Sequence, residues 1–215
     1  MPPKNPERMS KGDGLAAAVA GLSRAAHSRG WALGTSGNFS AVAAREPLRL
    51  LITPSGADKG TVTEADLVVI DGRGARVEGS GPPSAESAVH LAVVTARGAG
   101  AVCHTHSVWA TLLSDVAAGE DGIAIEGYEM LKGLEGVDNH DHAEWLPVIE
   151  NARDWDGAAL RVAETLRAHP RAHGFLIRRH GLYTWGANVG QARRHLEVLE
   201  FLLEVVGRTR IGSRA

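Results

Sequence analysis

Two pairs of strand-like segments in this 215-residue chain are joined by turns of only a few residues. The segments NFSAVAA (38–44) and LRLLITP (48–54) are separated by a short polar turn, and GFLIRRHGLYTWG (174–186) contains two strand segments around a tight turn at Gly181. A parallel pair needs a crossover connection of a dozen or more residues. We therefore predict that the segments within each pair run antiparallel, which constrains the sheet of this chain.

Helical patterns alternate with these strands. Apolar residues at helical spacing predict helices over 14–29, over about 85–97 and in the C-terminal segment NVGQARRHLEVLEFLLEVV (188–206). This alternation predicts an α/β fold with a central mixed, largely antiparallel sheet flanked by helices. The polar, Pro/Gly-rich N-terminus predicts a flexible tail over 1–10, which leaves a single domain over 11–215.

Composition and charge argue against several classes of protein. The formal net charge is −2 and no run of like charge is present, so we expect no nucleic-acid partner. No segment approaches the roughly 20 consecutive apolar residues of a membrane-spanning helix, and the N-terminus lacks the apolar core of a signal peptide. A single cysteine, Cys103, excludes an internal disulfide framework and fits a reducing cytoplasm, where we expect the protein to act.

Two histidines separated by one residue follow the apolar run of AVCHTHSVW (101–109). Residues i and i+2 of a strand point to the same face, so His104 and His106 can converge on one ion, and imidazole suits zinc and related divalent metals. The alternative is two ordinary polar residues at a strand end. A metal site needs a third ligand, and His180, which ends a strand before a glycine turn, is a candidate. Cys103 alternates with the histidines and is expected in the core.

Other histidines offer competing sites. The segment VDNHDHAEW (137–145) places His140 and His142 among three acidic residues, but its polarity favours a solvated loop. Glu86 and His90 are four residues apart on a predicted helix and could share a ligand-bearing face, although a surface pair is the simpler interpretation. The remaining histidines are interpreted as structural: His27, His169, His173 and His195.

Three segments rich in glycine and hydroxyl residues are suited to an anion. They are GTSGNFS (34–40), TPSGADKG (53–60) and PSAES (83–87). Glycine permits backbone geometries that bring N–H groups close to a ligand, and neutral donors suit a phosphate without much net positive charge. By composition alone, such residues more often belong to plain turns. Lys59 could add charge to such a pocket or face solvent.

Taken in order, these segments, HTH (104–106) and RRHG (178–181) resemble the class II aldolase/adducin family over nearly the whole chain. The resemblance implies the three-layer fold of that family, a single catalytic domain, a phosphorylated ketose as substrate, and a homotetramer with active sites near subunit contacts. It also implies one Zn²⁺ ion per subunit, bound by His104, His106 and His180. The substrate- and phosphate-binding residues that it implies are Ser36, Gly37, Asn38, Ser55, Gly56, Ser84 and Glu86.

Two glutamates distinguish the reactions that the resemblance allows. In aldolases of the family, a glutamate in the position of Glu86 serves as acid/base, whereas GYEMLKG (127–133) resembles a dehydratase branch in which Glu129 would hold that role. From its local sequence alone, Glu129 would be a surface residue. The resemblance favours zinc-dependent dehydration, with aldol cleavage, epimerisation or a metal-free interaction module as alternatives. The five tryptophans are expected mainly to pack in the interior, although Trp109, beside the histidine strand, could line a thioether pocket.

Overall fold

A mixed sheet of nine strands organises the part of the chain that this computed structural model describes, residues 6–117 and 120–212. The strands are β1 (Asn38–Arg45), β2 (Leu48–Ile52), β3 (Val68–Asp71), β4 (Arg76–Glu78), β5 (Ala101–Thr105), β6 (Gly122–Glu126), β7 (Ala143–Ile149), β8 (Gly174–Ile177) and β9 (Gly181–Gly186). Their order across the sheet is β4-β3-β2-β1-β5-β9-β8-β7-β6. Only β7 and β8 pair in parallel among these strands, so the predicted mixed, largely antiparallel sheet is confirmed.

The two short-turn pairs behave as predicted. The first pair forms β1 and β2, with Val42 opposite Leu50, and the second forms β8 and β9, with Leu176 opposite Leu182. Both pairs are antiparallel, because connections this short leave no room for a crossover.

Five α-helices cover the sheet within the same described ranges: α1 (Pro6–Ser28), α2 (Ser87–Arg97), α3 (Val108–Val116), α4 (Trp155–Ala168) and α5 (Val189–Gly212). One apolar core contains Cys103 together with buried residues of α1, α3 and α5, such as Leu199. The other contains Phe175 with buried residues of α2 and α4, such as Val93 and Val162. The helices thus form the outer two of three layers, and the predicted burial of Cys103 is confirmed.

The N-terminal helix begins earlier than the apolar pattern indicates. Residues 6–10, predicted as part of a flexible tail over 1–10, belong to α1, whereas residues 1–5 lie outside the described residues. Proline is tolerated at the first helical position, where its missing N–H has no helical partner, and Pro6 occupies that position. The residues that follow lack apolar periodicity, so the sequence pattern alone missed this first part of the helix.

Three adjacent strands bring the chemistry-bearing residues to one end of the sheet. His104 near the end of β5 lies opposite Asn38 at the start of β1 and opposite Tyr183 near the start of β9. A β-carbon at Gly181 would lie only 1.9 Å from the carbonyl oxygen of Thr105. Glycine is therefore required where β9 meets β5, directly after His180.

Candidate active site

The Nε2 atoms of three histidines converge at this end of the sheet. Nε2 of His106 lies 2.8 Å from that of His104 and 2.9 Å from that of His180, and the His104–His180 distance is 3.3 Å. His104 donates from Nδ1 to the carbonyl oxygen of Leu182 over 3.0 Å, so its Nε2 presents a lone pair to the cluster. The structure thus brings together the three histidines that the sequence singled out.

Glu86 completes the cluster from the start of α2. Its Oε2 lies 3.2 Å from Nε2 of His104, and its Oε1 lies 3.1 Å from Nε2 of His180. One ligand atom from each of these three residues and from His106 falls within 4.8 Å of the others. Three imidazoles and one carboxylate therefore surround a single point.

Electrostatics leave these groups in the forms that bind a cation. Burial lowers the pKa of His104 well below its usual range and lowers that of His106 to about 4, so both rings are neutral at pH 7. Burial opposes ionisation of Glu86, but its neighbours His104, His180 and Asn38 favour the carboxylate and hold the pKa of this carboxyl well below its usual value.

The donor set fits a divalent metal. A neutral imidazole carries one N–H, and His104 donates its own to a backbone carbonyl. Its Nε2 can therefore only accept, so the two remaining N–H groups cannot form hydrogen bonds in all three pairs of converging nitrogens. Neutral imidazoles and a carboxylate are ligands that zinc and related cations accept. Residues His104, His106, His180 and Glu86 are the ones that would hold such an ion.

Two neutral side chains hold Glu86 in place. Asn38 donates from Nδ2 to Oε2 of Glu86 over 2.6 Å and to Oγ of Ser84 over 3.1 Å. Tyr183 donates its hydroxyl to the same carboxylate oxygen over 3.0 Å, and its ring stacks on His104 with centroids 3.9 Å apart. Tyr183 was not singled out from the sequence, because its place beside His104 depends on the pairing of β5 with β9.

A buried histidine extends this network behind Asn38. His90 accepts at Nδ1 from the hydroxyl of Ser40 over 2.7 Å and donates from Nε2 to the side-chain oxygen of Asn38. Burial lowers the pKa of His90 to about 4, so its ring is neutral. The interpretation of Glu86 and His90 as a surface pair is wrong, since both are buried. Their spacing of four residues was the signal, because it places both on the helix face that meets the sheet.

A pocket of about 190 Å³ opens beside the histidines and contains all seven residues predicted to bind the substrate and its phosphate. Gly37 adopts a φ of +70°, and a β-carbon there would lie 2.7 Å from the carbonyl oxygen of His104. Only glycine fits that position without displacing the strand that carries the histidine. The predicted residues that line the pocket are Ser36, Gly37, Asn38, Ser55, Gly56, Ser84 and Glu86.

Lys59 brings positive charge to the wall of this pocket. Its side chain is buried, and Nζ donates to the carbonyl oxygens of Thr35 (2.8 Å) and Ala57 (2.7 Å). Burial lowers the pKa of Lys59, although the nearby Asp58 and Glu86 oppose that shift. The sequence left open whether this lysine faces solvent, and the structure places it in the pocket.

Glu129 does not belong to the same pocket within one chain. It begins a 3₁₀ turn, its side chain is 71% exposed, and its carboxylate pairs with Lys132 at 2.5 Å and His140 at 3.5 Å. It is absent from the residues that line the histidine pocket. The local sequence pattern, which indicated a surface residue, agrees with this position.

The aromatic side chain that lines the pocket is Trp155 rather than Trp109. Trp155 begins α4, and its ring centroid lies 5.6 Å from that of His180. Trp109 instead packs over Gly207 and lies 5.9 Å below the guanidinium of Arg208. Trp109 therefore packs, as the tryptophans were mainly expected to do, and does not line the pocket, because its helix turns it toward α5.

The three-layer fold and the His/Glu cluster at its sheet end define a protein of the class II aldolase type. The chain belongs to the Class II Aldolase and Adducin N-terminal domain family, whose sequence profile matches residues 17–206. Among its helices that the structure describes, none is both long and apolar enough to cross a membrane.

Individual relatives carry a more specific name than the family does. The chain is 42% identical to a methylthioribulose-1-phosphate dehydratase of Sorangium cellulosum (strain So ce56), over 88% of this chain and 90% of the relative. It is 43% identical to a protein of the same name from Serratia proteamaculans (strain 568), over 82% of this chain and 85% of the relative. The crystal structure of L-fuculose-1-phosphate aldolase from Thermus thermophilus superposes with a TM-score of 0.74 at 27% identity, covering 94% of this chain and 98% of that chain.

Proposed function

We propose that this protein is a metal-dependent hydro-lyase that dehydrates 5-methylthioribulose 1-phosphate to 2,3-diketo-5-methylthiopentyl 1-phosphate, a reaction of methionine salvage. The observation that carries this proposal is the convergence of His104, His106, His180 and Glu86 beside a pocket of hydroxyl and amide donors. Identities of 42% and 43% to relatives named as this dehydratase support the particular substrate.

The proposed cofactor is one Zn²⁺ ion per active site. Three histidine ligands form a set typical of catalytic zinc, which keeps a fourth coordination position for water or substrate, and Glu86 lies beside this set. When bound, the ion supplies Lewis-acid polarisation of the substrate carbonyl, an effect of several kcal/mol on a developing enolate. Tyr183 and Asn38 orient Glu86 toward the histidines, so the ligand set is arranged before the substrate arrives.

The phosphate is proposed to bind where residues 35–37 and 55–56 line the pocket. Ser36, Ser55 and Gly56 are partly or fully exposed there and offer hydroxyl and backbone N–H donors.

Lys59 has three N–H donors, of which two are used on backbone carbonyls, so one is left for an anion. Asn38 and Ser84 also line the pocket, but their contacts with Glu86 and with each other make positioning their main role. Binding of the phosphate fixes the ketose chain relative to the histidines.

The dehydration removes a proton from C3 and the hydroxyl from C4, and the resulting enol rearranges to the diketone with release of one water. We assign the proton transfers to Glu129: its carboxylate takes the proton from C3 and delivers it to the departing C4 hydroxyl, which leaves as water. Because this carboxylate is exposed and lies outside the pocket of its own chain, it would act on a neighbouring subunit.

A homotetramer with active sites at subunit contacts, formed by single catalytic domains over 11–215, is therefore part of the proposal. Its proposed location is the cytoplasm.

One observation favours a second function on the same scaffold. Glu86, not Glu129, lies beside the histidines within a single chain, and it is ionised. A base in this position suits aldol cleavage of a phosphorylated ketose, and the superposition with L-fuculose-1-phosphate aldolase supports that alternative. The two reactions differ in whether a C–O or a C–C bond breaks.

The deciding experiment is incubation of the zinc-loaded protein with methylthioribulose 1-phosphate, followed by mass spectrometry of the product. We expect one product lighter than the substrate by one water. Two fragments would instead establish aldol cleavage, and an isomer of unchanged mass would establish epimerisation. The variant His106→Ala, which lacks one of the proposed ligands, serves as the inactive control.

A further inference from the structure

A second cluster of potential metal ligands lies at the other end of β8 from the proposed active site. His173 directly precedes this strand, whereas His180 follows its far end. His142 directly precedes β7, the parallel neighbour of β8, and Glu144 is the second residue of β7. Four strand residues separate the two ends, which corresponds to about 13 Å along the sheet.

The three side chains offer converging ligand atoms. Nε2 of His142 lies 2.8 Å from Oε2 of Glu144, and Nδ1 of His173 lies 2.9 Å from the same oxygen. All three atoms fall within 4.8 Å of one another. The Glu144 side chain is only 1% exposed, and those of His142 and His173 are 11% and 15% exposed. Two imidazoles and one carboxylate at this spacing form a ligand set that zinc-like cations use.

The surrounding hydrogen bonds orient these groups as in a metal site. His173 donates from Nε2 to the carbonyl oxygen of Glu135 over 2.8 Å, which leaves Nδ1 directed at Glu144. The other carboxylate oxygen of Glu144, Oε1, accepts from the backbone N–H of His173 over 2.8 Å, which leaves Oε2 directed at the histidines. Metal-bound histidines generally donate their second ring N–H to a carbonyl or carboxylate, and bound carboxylates are similarly fixed by outer hydrogen bonds.

An open side gives access to this cluster. His142 and His173 line a pocket of about 450 Å³ together with Arg97, Gln191 and His195. His195 cannot join the ligand set, because it donates from Nδ1 to the carbonyl oxygen of Trp185 and accepts at Nε2 from the backbone N–H of Glu135. Three protein ligands beside this pocket leave a fourth position for water or for an anionic group.

We propose that His142, Glu144 and His173 form a second binding site for a divalent cation of the zinc class. On binding, the cation takes the positions between Glu144 and the facing ring nitrogens of His142 and His173. Protons held there pass to solvent or to the other nitrogen of the same ring, so each ring binds as a neutral imidazole. The bound ion links β7 to the start of β8. This site does not depend on the proposed function, because it shares no residue with the His104 cluster.

The test is Co²⁺ binding to the full-length protein after removal of metal with a chelator, measured by equilibrium dialysis and by the visible absorption of the bound ion. We expect two equivalents per chain in the wild type and one in His142→Gln. We expect one in His106→Gln, which disables the proposed active-site cluster. The double variant should bind none.

His140→Gln is the matched control, since His140 belongs to the same segment but its side chain is 58% exposed and it is not among the three ligands. This control should keep two equivalents. One equivalent in the wild type together with none in His106→Gln would overturn the proposal and identify the cluster as a metal-free His–Glu–His network. The His106→Gln result decides the matter even if His142→Gln fails to fold, because that variant retains all three ligands of the second site.

Discussion

The hydroxyl of Tyr183 donates a 3.0 Å hydrogen bond to Oε2 of Glu86, and both side chains are buried. Burial and the negative charge of Glu86 raise the pKa of Tyr183 well above its usual value. The phenol therefore stays protonated near neutral pH and remains a hydrogen-bond donor. Because the Tyr183 ring also stacks on His104, one side chain orients two members of the histidine cluster.

Replacing Tyr183 with phenylalanine removes this hydrogen bond and keeps the ring, which also stacks on Phe175 with centroids 4.9 Å apart. We expect Tyr183→Phe to lower metal affinity or activity about 10–100-fold, the usual cost of losing an outer-shell partner of a metal site. Chelator competition measures the metal affinity, and kcat/KM measures the activity. If both stay at wild-type values while the circular dichroism spectrum is unchanged, the hydroxyl has no positioning role.

Glu129→Gln tests whether catalysis crosses a subunit boundary. Loss of a positioned general acid should reduce turnover about 10²–10⁴-fold while the metal content stays at the wild-type level, because Glu129 lies outside the histidine cluster. Mixed oligomers of Glu129→Gln and His106→Gln chains should regain part of the activity, since each chain supplies what its neighbour lacks. Active Glu129→Gln homo-oligomers would contradict the assignment of the acid. Inactive mixtures would contradict its action across subunits.

Trp155 is expected to contact the thioether end of the substrate, because it is the aromatic residue in the pocket beside His180. Trp155→Ala should raise KM for methylthioribulose 1-phosphate on the order of tenfold, the value of burying a small apolar group. The same change should leave KM for ribulose 1-phosphate, which lacks the thioether, nearly unaltered. Trp155→Phe retains an aromatic face, so its KM for methylthioribulose 1-phosphate should fall between those of the wild type and Trp155→Ala. Equal losses with both ketoses would show that the indole supports the fold or His180 instead.

Glu200 makes stability depend on pH. This carboxyl is buried beneath the histidine strand, where it accepts a 2.5 Å hydrogen bond from the hydroxyl of Thr105. Burial raises its pKa from the ordinary value of 4.5 to about 7, against the opposing effect of hydrogen bonds from Ser107 and Thr105. Between these two pH values the unfolded chain has lost the proton that the folded chain retains, so the free energy of unfolding falls as pH rises.

The matched variant is Glu200→Gln, which has the same shape and no titration. Relative to it, the wild type should lose about 3 kcal/mol of unfolding free energy between pH 4.5 and pH 7, and little more above that range. Urea denaturation at several pH values measures this difference. Parallel pH profiles for the two proteins would mean that Glu200 is ionised in the folded state.

Local patterns in the sequence were enough to predict the antiparallel strand pairs and to place the two histidines of the His-x-His pair on one face. Short turns exclude crossovers, and the two-residue period of a strand places His104 and His106 on one face. The choice of His180 as the third ligand and of the pocket residues depended on the family resemblance that the ordered motifs carry. Tyr183 and Trp155 were missed and His90 was assigned to the surface, because each meets the site only through contacts between segments far apart in the chain.

The sequence alone could not show what surrounds His173, which was interpreted as a structural residue. It follows Glu144 by 29 positions, and only the parallel pairing of β7 with β8 brings the two side chains together. The interpretation of VDNHDHAEW as a solvated loop was right for His140, which is exposed, and wrong for Glu144, which is buried on a strand.

The sequence by itself determined the strand pairs and the alternation of strands with helices, since these follow from local periodicity. Its resemblance to a known family singled out the residues expected to bind a cation and a phosphate. Only the tertiary structure decided which of these residues meet, which carboxylate lies beside the histidines and which ionisable groups lose contact with water. Those outcomes depend on strand order and burial, because electrostatic shifts and ligand geometry arise between atoms that the chain separates by up to 97 residues.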